Sequence, residues 1–482
     1  MSLSSTSARD PFALDTASWQ LLGDRVEAAL AIAGRGGPSV ASVCVRVPPS
    51  LDLSAVVLAA RRAEDRFFCF EQPDRDGHAL CGLGAAATIE RAGPRRFAEA
   101  AAAARALAAH TVADDPALDS DRPPGAGPVF AGGFAFADGG GASPEWSSFA
   151  PAQLVLPEVS FARQSGQARM TVNVSVEGGD LRDELLDAVR VRLAQLHPAA
   201  MPMLDPNPIE RSRVAGAAPP SHYEEAVRRA VERIHAGELD KVVLAREVRV
   251  HAAASIDPAP VLDALRGVFP ECYCYCVGSP EATLVGASPE LLVRRDGARA
   301  QSVALAGTTR RSADPAVDVH LGEQLVQSAK NRVEQEIVLR RIERTLEPVS
   351  VWVAAAGEPM LVKVQNVQHL ATPIRAQLAE PISAVELAGR LHPTPAVGGE
   401  PAAVAGPLIP ALEGLDRGWY AGAVGWTDLS EDGEFCVALR CALIRGSVAH
   451  LFAGCGIVGD SVPAEELAES EVKLEALLPL LT

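Results

Sequence analysis

The stretch YAGAVGWTDLSEDGEFCVALRCALIRGSVAHLFAGCGIV, residues 420–458, constrains the fold more than any other part of the chain. Short apolar runs recur in it, separated by turns that contain Asp and Gly, which is the signature of an antiparallel meander. Strand-like runs also occur at 39–47, 153–161 and 168–176, in KVVLAREVRV (241–250) and in CYCYCVG (272–278). In ELLVRRDGARAQSVAL (290–305) the Asp296-Gly297 pair suits a tight hairpin, and further strands are expected near Val351 and Val362. Helical periodicity marks 19–33, 181–196, 223–235 and 260–269, and predicts one long helix over about 317–346. This mixture indicates an α/β or α+β layered fold with much antiparallel sheet. Residues 197–220 are rich in Pro and Ala and lack periodicity, so they read as a connection. A boundary near residue 215 separates an N-terminal portion, 1–215, from a second portion, 216–482.

Charge excludes several function classes. With 44 Lys+Arg against 61 Asp+Glu the net charge is −17, so the protein as a whole repels nucleic acid and anionic membranes. An anionic substrate would need a local positive pocket or a metal. The start of the chain lacks a basic region followed by an apolar core, and no run is long enough to span a bilayer. Cytoplasmic location is the expectation. The 9 cysteines are spread without framework spacing. Cys272, Cys274 and Cys276 put their thiols on one face of a strand, where four metal ligands cannot converge, so core packing is expected of them.

Two helices carry the informative carboxylates. A wheel of SAKNRVEQEIVLRRI (328–342) places Glu334 between Ile337 and Val338, on the arc facing the core. A buried carboxylate needs a cation or a metal; Lys330 and Arg341 lie in nearly the same row, so an ion pair and metal binding are both open. In PAEELAESEVKLEALL (463–478), Glu466, Glu469 and Lys473 fall within about 60° of one another beside an apolar stripe, while Glu471 and Glu475 point elsewhere. Two helices could thus each deliver a carboxylate to one Mg²⁺, an ion that prefers oxygen ligands and keeps several waters.

The blocks LDKVVLAREV (239–248), GASPELLVRR (286–295), ALAGTTRR (304–311), KNRVEQEIV (330–338), VQHLATPI (367–374), LHPTPAVGGEP (391–401), WYAGAVGW (419–426), ALRCALI (438–444) and AGCGIVGDSVPAEELAESEVK (453–473) occur in this order. In that order they resemble the chorismate-utilising enzymes, and among these the chain is most similar to the isochorismate synthases. The resemblance covers 222–482, and PVFAGGFAFAD (128–138) looks like the family's weaker N-terminal signature. It implies two large, mainly antiparallel sheets packed together with helices outside, as in anthranilate synthase component I. It makes 216–482 the chorismate-binding catalytic portion of one compact unit.

The same resemblance implies the site. Glu334 and Glu469 would hold Mg²⁺, with Glu466 holding metal-bound water. Gly307, Thr308, His369, Ala396, Tyr420, Leu439, Arg440, Gly454, Gly456 and Lys473 would bind chorismate. Lys241 would be the base that activates water for attack at C2, and Glu290 the acid that protonates the departing C4 hydroxyl. A base at neutral pH calls for a setting that depresses the Lys241 pKa, and an acid for one that raises that of Glu290.

Ala306 stands where aminodeoxychorismate synthases carry a nucleophilic Lys, and Ala396 where anthranilate synthases carry Thr. Water as nucleophile and no glutaminase subunit are therefore expected. Salicylate synthases, which go on to eliminate pyruvate, and a catalytically silent chorismate binder are the alternatives. The isomerase product serves menaquinone and siderophore synthesis alike. Asn331, where many relatives have an acid, and Cys455, which could narrow the carboxylate pocket, depart from the family pattern.

Overall fold

The computed structural model describes residues 10–115, 119, 121–205 and 212–482. Residues 1–9, on which the reading of the chain's start partly rests, and 206–211 of the connection lie outside the described residues. Two sheets, one of 13 strands and one of 10, organise the chain. Among the described residues the pairings are antiparallel except that of Ser39–Arg46 with Thr111–Val112.

Both sheets draw strands from both sides of residue 215. In the larger sheet Phe67–Gln72 pairs with Tyr273–Gly278; in the smaller one Val129–Phe134 pairs with Ala423–Asp428. The main core lies between the sheets and includes Phe70, Phe130, Phe134, Leu292, Trp419 and Phe435. A second core fills the outer face of the larger sheet under helices such as Thr16–Ala33 and Pro258–Val268. Cys272, Cys274 and Cys276 are buried there, and all 9 cysteines are free. A third, smaller core packs the helices Pro220–His235 and Ala402–Glu413 against Lys241–His251.

Two sequence expectations need correction. The run 153–161 is not one strand: Ala152–Leu156 belongs to the smaller sheet and Val159–Gln164 to the larger. Pro157 lies between them, and without an N–H it cannot continue a ladder, so the chain changes sheets there. The helix expected over 317–346 is two helices, Pro315–Gln327 and Ala329–Leu346. Ser328 between them is extended (ψ 116°), and its side chain accepts the Asn331 N–H, an N-cap that starts the second helix afresh. The hairpin at Asp296-Gly297 forms as expected, with Gly297 at φ 56°.

A polar cluster ties the two sheets together. Glu434, on Gly433–Val437 of the smaller sheet, is 1% exposed and accepts hydrogen bonds from Arg75 Nη1 (2.7 Å), Arg294 Nε (2.8 Å) and the Tyr273 hydroxyl (2.9 Å). Tyr273 belongs to the larger sheet, and Arg75 lies in the turn between two of its strands. Burial alone would raise the Glu434 carboxyl; the charges of Arg294 and Arg75 outweigh it and bring it down to about 2. Removing one charge would leave two guanidinium groups uncompensated. Glu434→Gln is expected to destabilise the protein by about 3 kcal/mol, measured as a lower urea midpoint; an unchanged midpoint would refute this role.

Candidate active site

The cleft at one end of the inter-sheet core is built where the chain passes between sheets. Thr283–Ser288 lies in the larger sheet and Leu291–Asp296 in the smaller, so Pro289 and Glu290 form the link. Gly433–Val437 and Cys441–Arg445 are joined in the same way through Leu439 and Arg440. Arg440 has φ 48°, an uncommon backbone for a side chain larger than glycine. Such links place side chains in the cleft itself rather than on either sheet face.

Except for Lys241, every site residue expected from the sequence lines this one cavity. Glu290, Leu439 and Arg440 come from the links, and Ala396 from the loop after the helix Ala384–Leu391. Gly307 and Thr308 lie on Arg299–Arg310 and His369 on Val367–Leu378; Tyr420 precedes Ala423–Asp428. Gly454 and Gly456 lie on Val448–Ile457, Glu334 on the helix Ala329–Leu346, and Glu466, Glu469 and Lys473 on the terminal helix Pro463–Leu474. Lys330, Leu305, Phe452 and Ala453 also line the cavity, and the sequence reading gave them no place there; Asn331, noted as a departure from the family pattern, lines it too. Only Lys330 carried a signal, one helical turn before Glu334.

Three lysines and three carboxylates face one another as pairs. Lys241 Nζ lies 2.9 Å from Glu334 Oε1, Lys330 Nζ 2.9 Å from Glu466 Oε1, and Lys473 Nζ 2.7 Å from Glu469 Oε1. Lys473 also donates to the Gly454 carbonyl at 2.8 Å. The expected pairing of Glu334 with Lys330 or Arg341 is therefore not the one formed. Lys330 reaches across to the terminal helix, and Arg341 turns to Glu400, 3.5 Å away. Burial and the charge of Glu469 raise the Glu466 carboxyl. Burial opposes ionisation of Glu469, but Lys473 prevails and lowers it.

Lys241 is fully buried behind Gly456. A Cβ at Gly456 would stand 2.2 Å from Glu334 Oε1 and 2.9 Å from Lys241 Cε, so any side chain there would displace the pair. A carboxylate that the sequence reading did not place beside Lys241 faces its Nζ, in an ion pair oriented off the hydrogen-bonding directions. Glu290 meets its expectation. It is 3% exposed, and burial pushes its carboxyl up to about 8 although the nearby Lys241 charge and Thr394 pull the other way. Arg440 adds a further guanidinium to the three ion pairs of the cavity.

A hard divalent ion suits these donors. Three carboxylates line the cavity, and oxygens of Glu466 and Glu469 lie, with Cys455 Sγ, within 4.8 Å of one another. Glu334, held by Lys241, stands outside that group. Cys455 does not narrow the cavity: its thiol donates to the Glu466 carbonyl (3.3 Å) and packs into the third core. Asn331 Nδ2 donates to the Oγ of Ser328, the N-cap of its helix, at 2.9 Å.

The sequence profile of chorismate binding enzymes matches residues 27–482. The chain belongs to the chorismate-binding enzyme family. Isochorismate synthase MenF of Bacillus subtilis is 36% identical over 358 residues, 74% of this chain and 75% of that protein. The salicylate biosynthesis isochorismate synthase of Pseudomonas aeruginosa is 36% identical over 417 residues, 85% of this chain and 83% of that protein. The solved structure of MenF, the menaquinone-specific isochorismate synthase of Escherichia coli, superimposes with a TM-score of 0.77 at 27% identity and covers 96% of this chain and 100% of that one. Anthranilate synthase component I of Streptococcus pneumoniae shares the fold, at 18% identity and a TM-score of 0.62.

The raised Glu290 carboxyl has a consequence for stability that needs no substrate. The folded state holds a proton that the unfolded chain releases above about 4.5, so this contribution is fully present below that pH and is lost as pH rises towards about 8. In urea titrations at stepped pH, wild type should lose stability over that window relative to Glu290→Gln, which carries no titrating group. A difference that stays constant with pH would show that Glu290 is ionised in the fold.

Proposed function

We propose that the protein isomerises chorismate to isochorismate in the cytoplasm, with Glu290 as the acid and Lys241 as the base of the reaction. The observation that carries this reading is Glu290, a carboxyl buried until its pKa stands at about 8, in the same cavity as Arg440 and beside Lys241. An acid that remains protonated at neutral pH can donate to a leaving hydroxyl, whereas an ordinary carboxylate cannot. Family membership and the isochorismate synthases named above support the same substrate.

In this reading, Arg440, Lys473 and the backbone at Gly454 hold the two carboxylates of the substrate. Water enters at C2 as Lys241 takes its proton, the double bond shifts, and the C4 hydroxyl departs with the proton of Glu290. One water is consumed and one released, so product and substrate have equal mass. Glu334 and Glu469 would hold Mg²⁺, with Glu466 holding water bound to it, and the ion when bound supplies positive charge against a substrate carboxylate.

Incubation of the protein with chorismate and Mg²⁺, without ammonia, should yield isochorismate, identified by chromatography with mass detection. EDTA should abolish the reaction. Salicylate with pyruvate would establish a lyase instead, and unchanged chorismate a silent binder. Lys241→Gln and Glu290→Gln should each lower turnover by at least about 10²-fold with native circular dichroism; wild-type rates in either would overturn the assigned roles.

A further inference from the structure

Arg440, His369 and Thr308 form a line along one wall of the cavity. Arg440 Nη2 stands 3.3 Å from His369 Nε2, and His369 Nδ1 stands 3.0 Å from Thr308 Oγ1. A guanidinium carries only donors and keeps its proton, so Nε2 has to accept. Burial and the charges of Arg440 and Lys473 hold the His369 pKa well below its ordinary value, which keeps the ring neutral. Its one proton is then on Nδ1, directed at Thr308 Oγ1 and the neighbouring Gly307 carbonyl. A protonated Nδ1 has no lone pair to offer, so the Thr308 hydroxyl hydrogen cannot be given to the ring, and Thr308 lines the cavity.

We infer that His369 is a positioning residue that passes the donor polarity of Arg440 on to Thr308, committing the Thr308 hydroxyl to donate a hydrogen bond to an anionic oxygen of the bound substrate. The backbone is arranged for this. The ladder between Arg299–Arg310 and Val367–Leu378 shifts register between Ala306 and Thr308, which sets Thr308 opposite His369. Gly307 supplies the φ of 75° that the bulge requires. The inference rests on the proposed reading in that the occupant is an anionic substrate; the tautomer itself does not depend on it.

The ring state can be read directly in ¹⁵N-histidine-labelled protein by long-range ¹H–¹⁵N correlation, with His369 assigned by the signal missing in His369→Asn. A neutral ring protonated on Nδ1 is expected; the Nε2–H tautomer or an imidazolium would overturn the relay. Steady-state kinetics gives the second readout. Thr308→Val should raise KM roughly ten- to a hundred-fold, with kcat changing less, and Thr308→Ser, which keeps the hydroxyl, should recover most of that loss. His369→Asn keeps an N–H near the Nδ1 position, so it should bind substrate better than His369→Gln, whose amide lies near the Nε2 position and serves Arg440 rather than Thr308. A wild-type KM in Thr308→Val, or a Gln variant no worse than the Asn variant, would overturn the relay. A wild-type protein that leaves chorismate unchanged would count against the reaction, whereas the wrong tautomer in an active enzyme counts against the relay alone.

Discussion

A charge buried between two sheets has to find its counter-charge inside the protein, because an unpaired ion costs several kcal/mol in such a place. The cleft answers that demand with lysine–carboxylate pairs, two of them contributed by different parts of the chain. Lys241–Glu334 fastens a strand of the larger sheet to the helix Ala329–Leu346, and Lys330–Glu466 fastens that helix to the terminal one. The same groups that would contact substrate and metal are therefore those that hold the surrounding elements in register. A site of this kind is organised by its own charges, which are fixed by one another rather than by solvent.

The pairs also explain how far the sequence could be read. A helical wheel separated Glu466 and Glu469 from Glu471 and Glu475, and the latter two are indeed exposed. It failed with Lys330, because a wheel knows only its own helix and cannot show that a long side chain reaches a neighbour. Lys241 sits in an apolar run, which signals burial but not the carboxylate that meets it. Glu290 and Arg440 gain their positions from the chain's passage between sheets, a non-local property that no window of sequence contains. Pro157 and Ser328 were legible on chemical grounds: the one lacks an N–H and the other is a good N-cap, yet the apolar pattern around each outweighed the signal.

Where the fold itself is concerned, antiparallel meanders and their turns were readable because their determinants are local. The assignment of each strand to a sheet was not. Phe67–Gln72 gives no sign that its neighbour is some 200 residues away at Tyr273–Gly278. Family resemblance supplied what periodicity could not, and the packing of two sheets with helices outside follows it.

That interleaving bears on how the chain reaches its native state during synthesis. A strand such as Phe67–Gln72 leaves the ribosome long before Tyr273–Gly278 exists, and Val129–Phe134 likewise precedes Ala423–Asp428. Until the partners emerge, the early strands present open backbone edges and apolar faces, the features by which nascent chains associate wrongly or engage chaperones. Closure of long loops before any ladder can reward them makes for slow folding. A protein built in this way cannot be secured half by half, and its solubility in the cell is decided in the interval between the making of a strand and the arrival of its partner.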